Sequence, residues 1–262
     1  MDFLAVGLTS LLVSALTLFS GFGLGTLLLP VFALFFPVDV AVAATAVVHF
    51  ANNAFKVGAV GKHASSRLVL GFGLPAILAA FAGAAALGLV SHVQPLATYS
   101  IGSIRAEVTP VKLAVAALVL GFALLELSPR LQRLRFNGKK LVLGGLASGF
   151  FGGFSGHQGA LRSAFLAQAG VSTEAFVGTN AVIGFLVDVA RLATYTATFL
   201  LAGAGSPLGP KQWPLVGAAV AAAFAGVMLG KRYLHAVPMR TVQAVMGALL
   251  LCIAAALAAG II

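Results

Sequence analysis

Residues Gly152 to Ser163 read GGFSGHQGALRS. The run on either side is apolar and glycine-rich, yet this stretch holds Ser155, His157, Gln158, Arg162 and Ser163. Further on, Asp188 and Arg191 stand inside another apolar run. A charge in a lipid-facing helix costs roughly 2.5–3.5 kcal/mol on insertion scales, so such residues face an interior cavity and mark a pathway. The reading of Gly152 to Arg191 therefore decides what kind of helical protein this is.

Composition fixes the class. The chain has 262 residues, of which 60% are hydrophobic and 8% charged, and its mean hydropathy is +1.07. Soluble domains carry about 25% charged residues. The apolar runs are too long for barrel strands, so the expected fold class is an all-α polytopic membrane protein. Asp2 precedes the first run where a signal peptide would have basic residues, so the run is expected to stay as a helix. The single cysteine, Cys252, excludes an intrachain disulfide. A net charge of +10 suits nucleic acid in principle, but the basic residues cluster in short loops, the positive-inside pattern of a membrane protein.

In chain order, residues 3–20 predict a helix that ends in the glycine break SGFGLG, Ser20 to Gly25. A short apolar piece, Thr26 to Phe36, follows. Spans are predicted at Val40–Val60, Leu68–Val90 and Val111–Leu127, with a polar connection from Ser91 to Thr109. The second half repeats the plan. Leu141–Ser155 leads into a break at Gly156–Gly159 and a short piece to Ala169, then come spans at Phe176–Leu201, Pro214–Gly230 and Thr241–Ile262. At an offset of 134, Gly25 falls on Gly159, Ala41 on Ala175 and Thr45 on Thr179. At an offset of 143, AAFAG at Ala79–Gly83 recurs at Ala222–Gly226. With the two glycine breaks, these matches predict two related halves, 1–127 and 141–262, joined by a basic cytoplasmic linker, 128–140.

Loop charge orients the halves. If the loops at Lys62, at Arg130–Lys140 and at Lys231–Arg240 all face the cytoplasm, each glycine-broken segment enters and leaves on one side as a helical hairpin. The halves are then inverted, each with a broken hairpin and about three full spans. The competing count makes each broken segment a single crossing, with parallel halves and the Lys211 loop inside.

Chemistry gathers on three stretches. His49, Asn53 and Lys56 share one helical face, with Asn52 beside them. Asparagines there also serve as interhelical hydrogen-bonding glue, and Lys56 also suits snorkelling to the interface. Asp188, Arg191 and Tyr195 share a face, and Asp188–Arg191 reads most simply as a neutralising ion pair that supports or gates the site. At the second break, unwound amides at Gly156–Gly159 and the positive end of a short helix carrying Arg162 and Ser163 favour a small anion. The turn at Gly23 and Gly25 offers a symmetric helix end from the first half. The plainer alternative is that the glycines only let helices pack closely. HExxH, GxSxG, Walker A and paired cysteines are all absent, so no catalytic residue, metal or cofactor is expected and the protein is not read as an enzyme. His49 and His157 meeting as metal ligands is the weaker reading, lacking a third ligand.

These residues resemble the TauE/SafE family of sulfite and organosulfonate exporters. The resemblance lies in GGFSGHQGALRSAFL at Gly152–Leu166, GTN at Gly178–Asn180, VDVARLATY at Val187–Tyr195, HFANNAFK at His49–Lys56 and SGFGLGTLLLP at Ser20–Pro30. The second-half break departs from the family's usual run of glycines, with His157-Gln158-Gly159-Ala160 in its place, and is similar to a subgroup variant. The resemblance implies export of a small sulfur oxyanion across a bacterial inner membrane. The site expected is Arg162 with the amides of Gly156–Gly159, helped by His157, Gln158, Ser163, Asn52, Asn53, Lys56 and His49 and by Gly23 and Gly25. Asp188, Arg191, Tyr195, Thr45 and Thr179 would gate or couple. Expected partners are the anion, the lipid bilayer, a coupling proton or cation and a second copy in a homodimer, with no nucleic acid. A membrane subunit that recruits proteins without transporting is the rival reading.

Overall fold

A backbone that crosses lipid must satisfy its own hydrogen bonds, and this one does so with helices. The structure, a computed structural model, describes residues 2–16, 23–91, 93–102, 104–128, 140–201, 208–233 and 239–262. The helices are α1 (Asp2–Leu16), α2 (Leu24–Ala33), α3 (Val38–Val60), α4 (Ser66–Ser91), α5 (Pro110–Leu127), α6 (Leu141–Ser155), α7 (Gly159–Leu166), α8 (Thr173–Leu201), α9 (Trp213–Tyr233) and α10 (Met239–Ala258). Four stretches are long and apolar enough to cross a membrane: Val38–His63, Ser66–Ser91, Thr173–Leu201 and Trp213–Gly230. Residues 20–22 of the first break, 129–139 of the basic linker, 202–207 and 234–238 lie outside the described residues.

The glycine-broken segments are short for a physical reason. Helix α6 has 15 residues, about 22 Å of rise, against a hydrocarbon core of about 30 Å. It therefore stops at membrane depth, where Gly156 closes it with φ 82°, a left-handed conformation suited to glycine. Eight residues of α7 then follow.

Close contacts fix the helix directions. Along α4 and α6, Phe72 meets Gly145, Ala76 meets Gly149 and Ala80 meets Gly153, so the two run parallel. Gly73 meets Ile183 and Gly88 meets Thr198, so α4 and α8 also run parallel. Helix α7 runs back between α6 and α8. Its start lies by Asp188, through Gln158, and its middle by Asn180, through Arg162. The second broken segment is therefore a hairpin. In contrast, α3 and α8 are antiparallel: Asn53 faces Gly184, while Val60 faces Gly178. Helices α1 and α9 run parallel, Leu11 against Gly226 and Ala15 against Gly230. These crossings are glycine-dependent; a Cβ on Gly149 would stand 1.9 Å from the Ala76 carbonyl oxygen and one on Gly226 2.2 Å from that of Leu11.

The fold is mostly helical, as expected, and the polar connection after α4 adds a two-stranded hairpin that the sequence did not announce: β1 (Ala97–Ile101) pairs antiparallel with β2 (Ile104–Val108). Gly102, at φ 60°, makes the tight turn. The hairpin fastens the chain's last residues, with the Glu107 amide donating to the Gly260 carbonyl at 3.0 Å and the Tyr99 hydroxyl donating to that of Ala259. Such pairing across 160 residues is invisible to local pattern. Helix α5 begins as its sequence dictates, with Pro110 in the first turn and Thr109 accepting the Lys112 amide at 3.2 Å.

Candidate functional site

Two polar stripes, one on each of the antiparallel helices α3 and α8, face each other at mid-length. On α8, Asn180, Gly184, Asp188, Arg191 and Tyr195 follow steps of three or four residues and are buried. On α3, Thr45, His49, Asn53 and Lys56 do the same, and Asn52 beside them is also buried. Asp188 is fully buried. Its Oδ2 accepts from His49 Nδ1 at 2.7 Å and from Asn53 Nδ2 at 2.9 Å, which places the His49 proton on Nδ1. Its Oδ1 accepts from Arg191 Nε at 2.9 Å and from Gln158 Nε2 at 3.1 Å, with Arg191 Nη2 at 2.7 Å. One carboxylate thus gathers donors from α3, from α8 and from the glycine turn.

The turn and α7 complete the cluster. Gln158 bridges, giving its NH2 to Asp188 and accepting at Oε1 from Arg162 Nη1 at 2.6 Å. Its backbone carbonyl accepts from Ser148 Oγ on α6 at 2.9 Å, which holds the turn in place. Arg162 Nε donates to Asn180 Oδ1 at 2.8 Å, an oxygen that Ser163 Oγ reaches at 3.4 Å. Gly184 makes room, since a Cβ there would lie 2.7 Å from Asn53 Nδ2 and 3.2 Å from both terminal nitrogens of Arg162. The two breaks meet here. A Cβ on Gly25, in the first turn of α2, would lie 3.1 Å from the Gly156 carbonyl oxygen and 3.5 Å from the His49 ring. Arg191 Nη1 has no hydrogen-bond acceptor among the described residues and lies 2.8 Å from where a Gly156 Cβ would stand. Beside it, the Tyr195 hydroxyl donates to the Gly153 carbonyl of α6. Gly23, φ 117°, turns the chain into α2.

The expected site residues divide in this arrangement. His49, Asn53, Gln158, Arg162, Ser163, Asp188, Arg191 and Tyr195 come together, with Gly25, Gly156 and Gly159 beside them. Asn52 faces away, its Oδ1 accepting from Ser14 Oγ of α1 at 3.1 Å, as interhelical glue does. His157 is buried but turned from Asp188; its Nδ1 lies 3.0 Å from Ser155 Oγ and its ring stacks on Phe122 of α5 at 5.5 Å between centroids. Thr179 accepts the Ser65 amide at 2.9 Å, at the end of α3, while the buried Thr45 hydroxyl has no partner among the described residues. Lys56 is buried, 9% exposed, and lines a cavity toward the end of α3. No group of three or more metal-ligating side chains occurs among the described residues. Asn180, Ser148 and Gly184 were missed as site residues. The signal was present, because Asn180 and Gly184 continue the Asp188 stripe toward the start of α8.

Comparison with known proteins then fixes the kinship. The family described as sulfite exporter TauE/SafE matches residues 6–257, nearly the whole chain. The chain belongs to this family. It is accordingly a multi-pass membrane protein of a family of anion exporters rather than of enzymes. No curated protein and no solved structure gives a significant match.

Among the described residues two buried guanidinium groups, Arg162 and Arg191, accompany the carboxylate of Asp188, and His49, Asn53, Gln158 and Asn180 bind them into one network. A buried excess of positive charge is unfavourable unless an anion offsets it.

Proposed function

We propose that the protein is a secondary transporter that exports a small sulfur oxyanion, sulfite or a sulfonate, across a bacterial inner membrane by alternating access. One observation carries the reading: Arg162, Arg191 and Asp188 meet two glycine-broken backbones at the midpoint of the antiparallel α3–α8 pair. Broken helices converging at mid-membrane are how secondary transporters present helix ends and backbone amides to a substrate. The inverted-repeat arrangement draws support from pairs that repeat across the halves. Gly83 of α4 packs on the Phe150 carbonyl of α6, and Gly226 of α9 packs on the Leu11 carbonyl of α1. The equivalent helices α3 and α8 run antiparallel, as inversion requires.

In this reading the anion binds where Arg191 Nη1 faces the Gly156 turn, with Arg162 and Gln158 forming the opposite wall. Asp188 holds Arg191 and His49 in place and exchanges their contacts as the two halves move. The His49–Asp188 pair is the natural seat of a coupling proton. The test is efflux of radiolabelled sulfite and thiosulfate from proteoliposomes, paired with thermal-shift screening against sulfite, sulfate, thiosulfate, sulfonates and carboxylates. Arg162→Ala and Arg191→Lys are expected to abolish efflux and anion-induced stabilisation. Unchanged flux in both folded variants, or stabilisation by a monovalent cation and by no anion, would overturn the proposal and favour the non-transporting subunit.

A further inference from the structure

A second feature lies away from this centre, one to two turns toward the far end of α3. A cavity of about 500 Å³ opens between α3, α8 and α9. Most of its wall is apolar, from Phe55, Ala59, Val60, Val177, Val227 and Met228, with Thr173, His63 and Glu174 completing the lining beside Lys56. Phe55 and Met228 are 39% and 66% exposed on the outer face of a helix bundle whose outer face is lipid. Into this apolar cavity projects one cation, Lys56, nine-tenths buried, with no hydrogen-bond or ion-pair partner for its ammonium among the described residues. The charges around it do not neutralise it. Arg162 repels it from the interior side. Glu174 also lines the cavity but is exposed, beside the Ser172 hydroxyl and His63.

The depth of the cavity identifies its occupant. Lys56 is four residues from the end of α3, about 6 Å. The exposed residues Lys62, His63 and Arg67 follow immediately in the chain, and Lys231 and Arg232 lie a turn past Val227 and Met228 along α9. This is the basic end of the bundle, the end that faces an anionic cytoplasmic leaflet. A free oxyanion finds no use for an apolar wall open to lipid. A molecule with an anionic head at the interface and a hydrocarbon chain beside it satisfies both the wall and the ammonium.

We propose that the α3–α8–α9 groove binds an acidic phospholipid of the surrounding membrane, its phosphate on Lys56 and an acyl chain along Phe55, Val227 and Met228. The site is separate from the transport centre, so its test stands apart from that of the exported anion. Detergent-purified full-length protein is titrated with phosphatidylglycerol, phosphatidylcholine or inorganic phosphate, and lipid retention is read by native mass spectrometry alongside the thermal midpoint. Phosphatidylglycerol is expected to be retained and to raise the midpoint, with the other two having little effect. Lys56→Gln should reduce its retention about fivefold, the weight of one interfacial lysine. Ala59→Trp, which keeps the lysine and fills the groove, should abolish retention and keeps the test valid if the Lys56 variant fails to fold. Equal retention of phosphatidylcholine, or full retention by both variants, overturns the proposal. So does equal stabilisation by inorganic phosphate, which would make the groove a port for a soluble anion.

Discussion

At the scale of the residue, Asp188 is the centre of the molecule. Four side chains, His49, Asn53, Gln158 and Arg191, direct donors at its two oxygens. Removing one partner of a buried pair leaves the other charge without compensation and costs about 3–5 kcal/mol. Asp188→Asn is therefore expected to lower the thermal midpoint sharply in detergent and to abolish efflux. Exchanging the pair, Asp188→Arg with Arg191→Asp, should rescue neither folding nor flux, because the swap would aim three further donor groups at a guanidinium. Recovery of transport in the exchanged protein would reduce the two residues to a simple ion pair. The i, i+3 spacing of Asp188 and Arg191 is legible in the sequence, and so is the polar stripe on each helix. That His49 lies against Asp188 is not, because 139 residues separate them and only the packing of α3 on α8 brings them together.

At the scale of the element, glycine governs how near the helices come. Gly145, Gly149 and Gly153 lie one turn apart on α6 and let the α4 backbone approach to contact. Gly149→Ala would set a methyl 1.9 Å from the Ala76 carbonyl oxygen and force the helices apart. Overpacking of this kind costs about 1–3 kcal/mol. The expected outcome is a lowered thermal midpoint, while Gly121→Ala on α5, with nothing within 4 Å of the new methyl, leaves it unchanged or raised. Equal behaviour of the two variants would show that the α4–α6 crossing is not close-packed. Glycine-rich runs in the sequence announce both breaks and close packing without separating the two. Gly156 is a break because its φ is 82°; Gly149 is a packing glycine because a carbonyl occupies the place of its Cβ.

At the scale of the whole molecule, the hairpin of α6 and α7 decides how many times the chain crosses the bilayer. Helix α8 starts beside Val60 and Ala64, so its far end lies opposite the Lys62 turn. In a Cys252→Ser background, single cysteines at Lys62 and Lys211 are expected to label from opposite sides of the membrane with an impermeant thiol reagent, Lys62 from the cytoplasmic side. Labelling of both from one side would restore the competing count of single broken crossings and parallel halves.

By itself the sequence determined the class, the approximate helices, the two glycine breaks and the residue types of the site, since hydropathy, helical period and glycine are local properties of a chain. What local pattern did not show in the 91–109 connection is the β1–β2 hairpin, which lies where pairing with the chain's end matters more. Tertiary structure alone decided which polar residues meet. It turned Asn52 toward α1 and His157 toward α5, brought Asn180 into the cluster, buried Lys56 in an apolar groove and set α3 against α8 in opposite directions. Those outcomes depend on how helices distant in sequence approach one another, and that approach is set by glycine contacts and buried charge that no single helix contains.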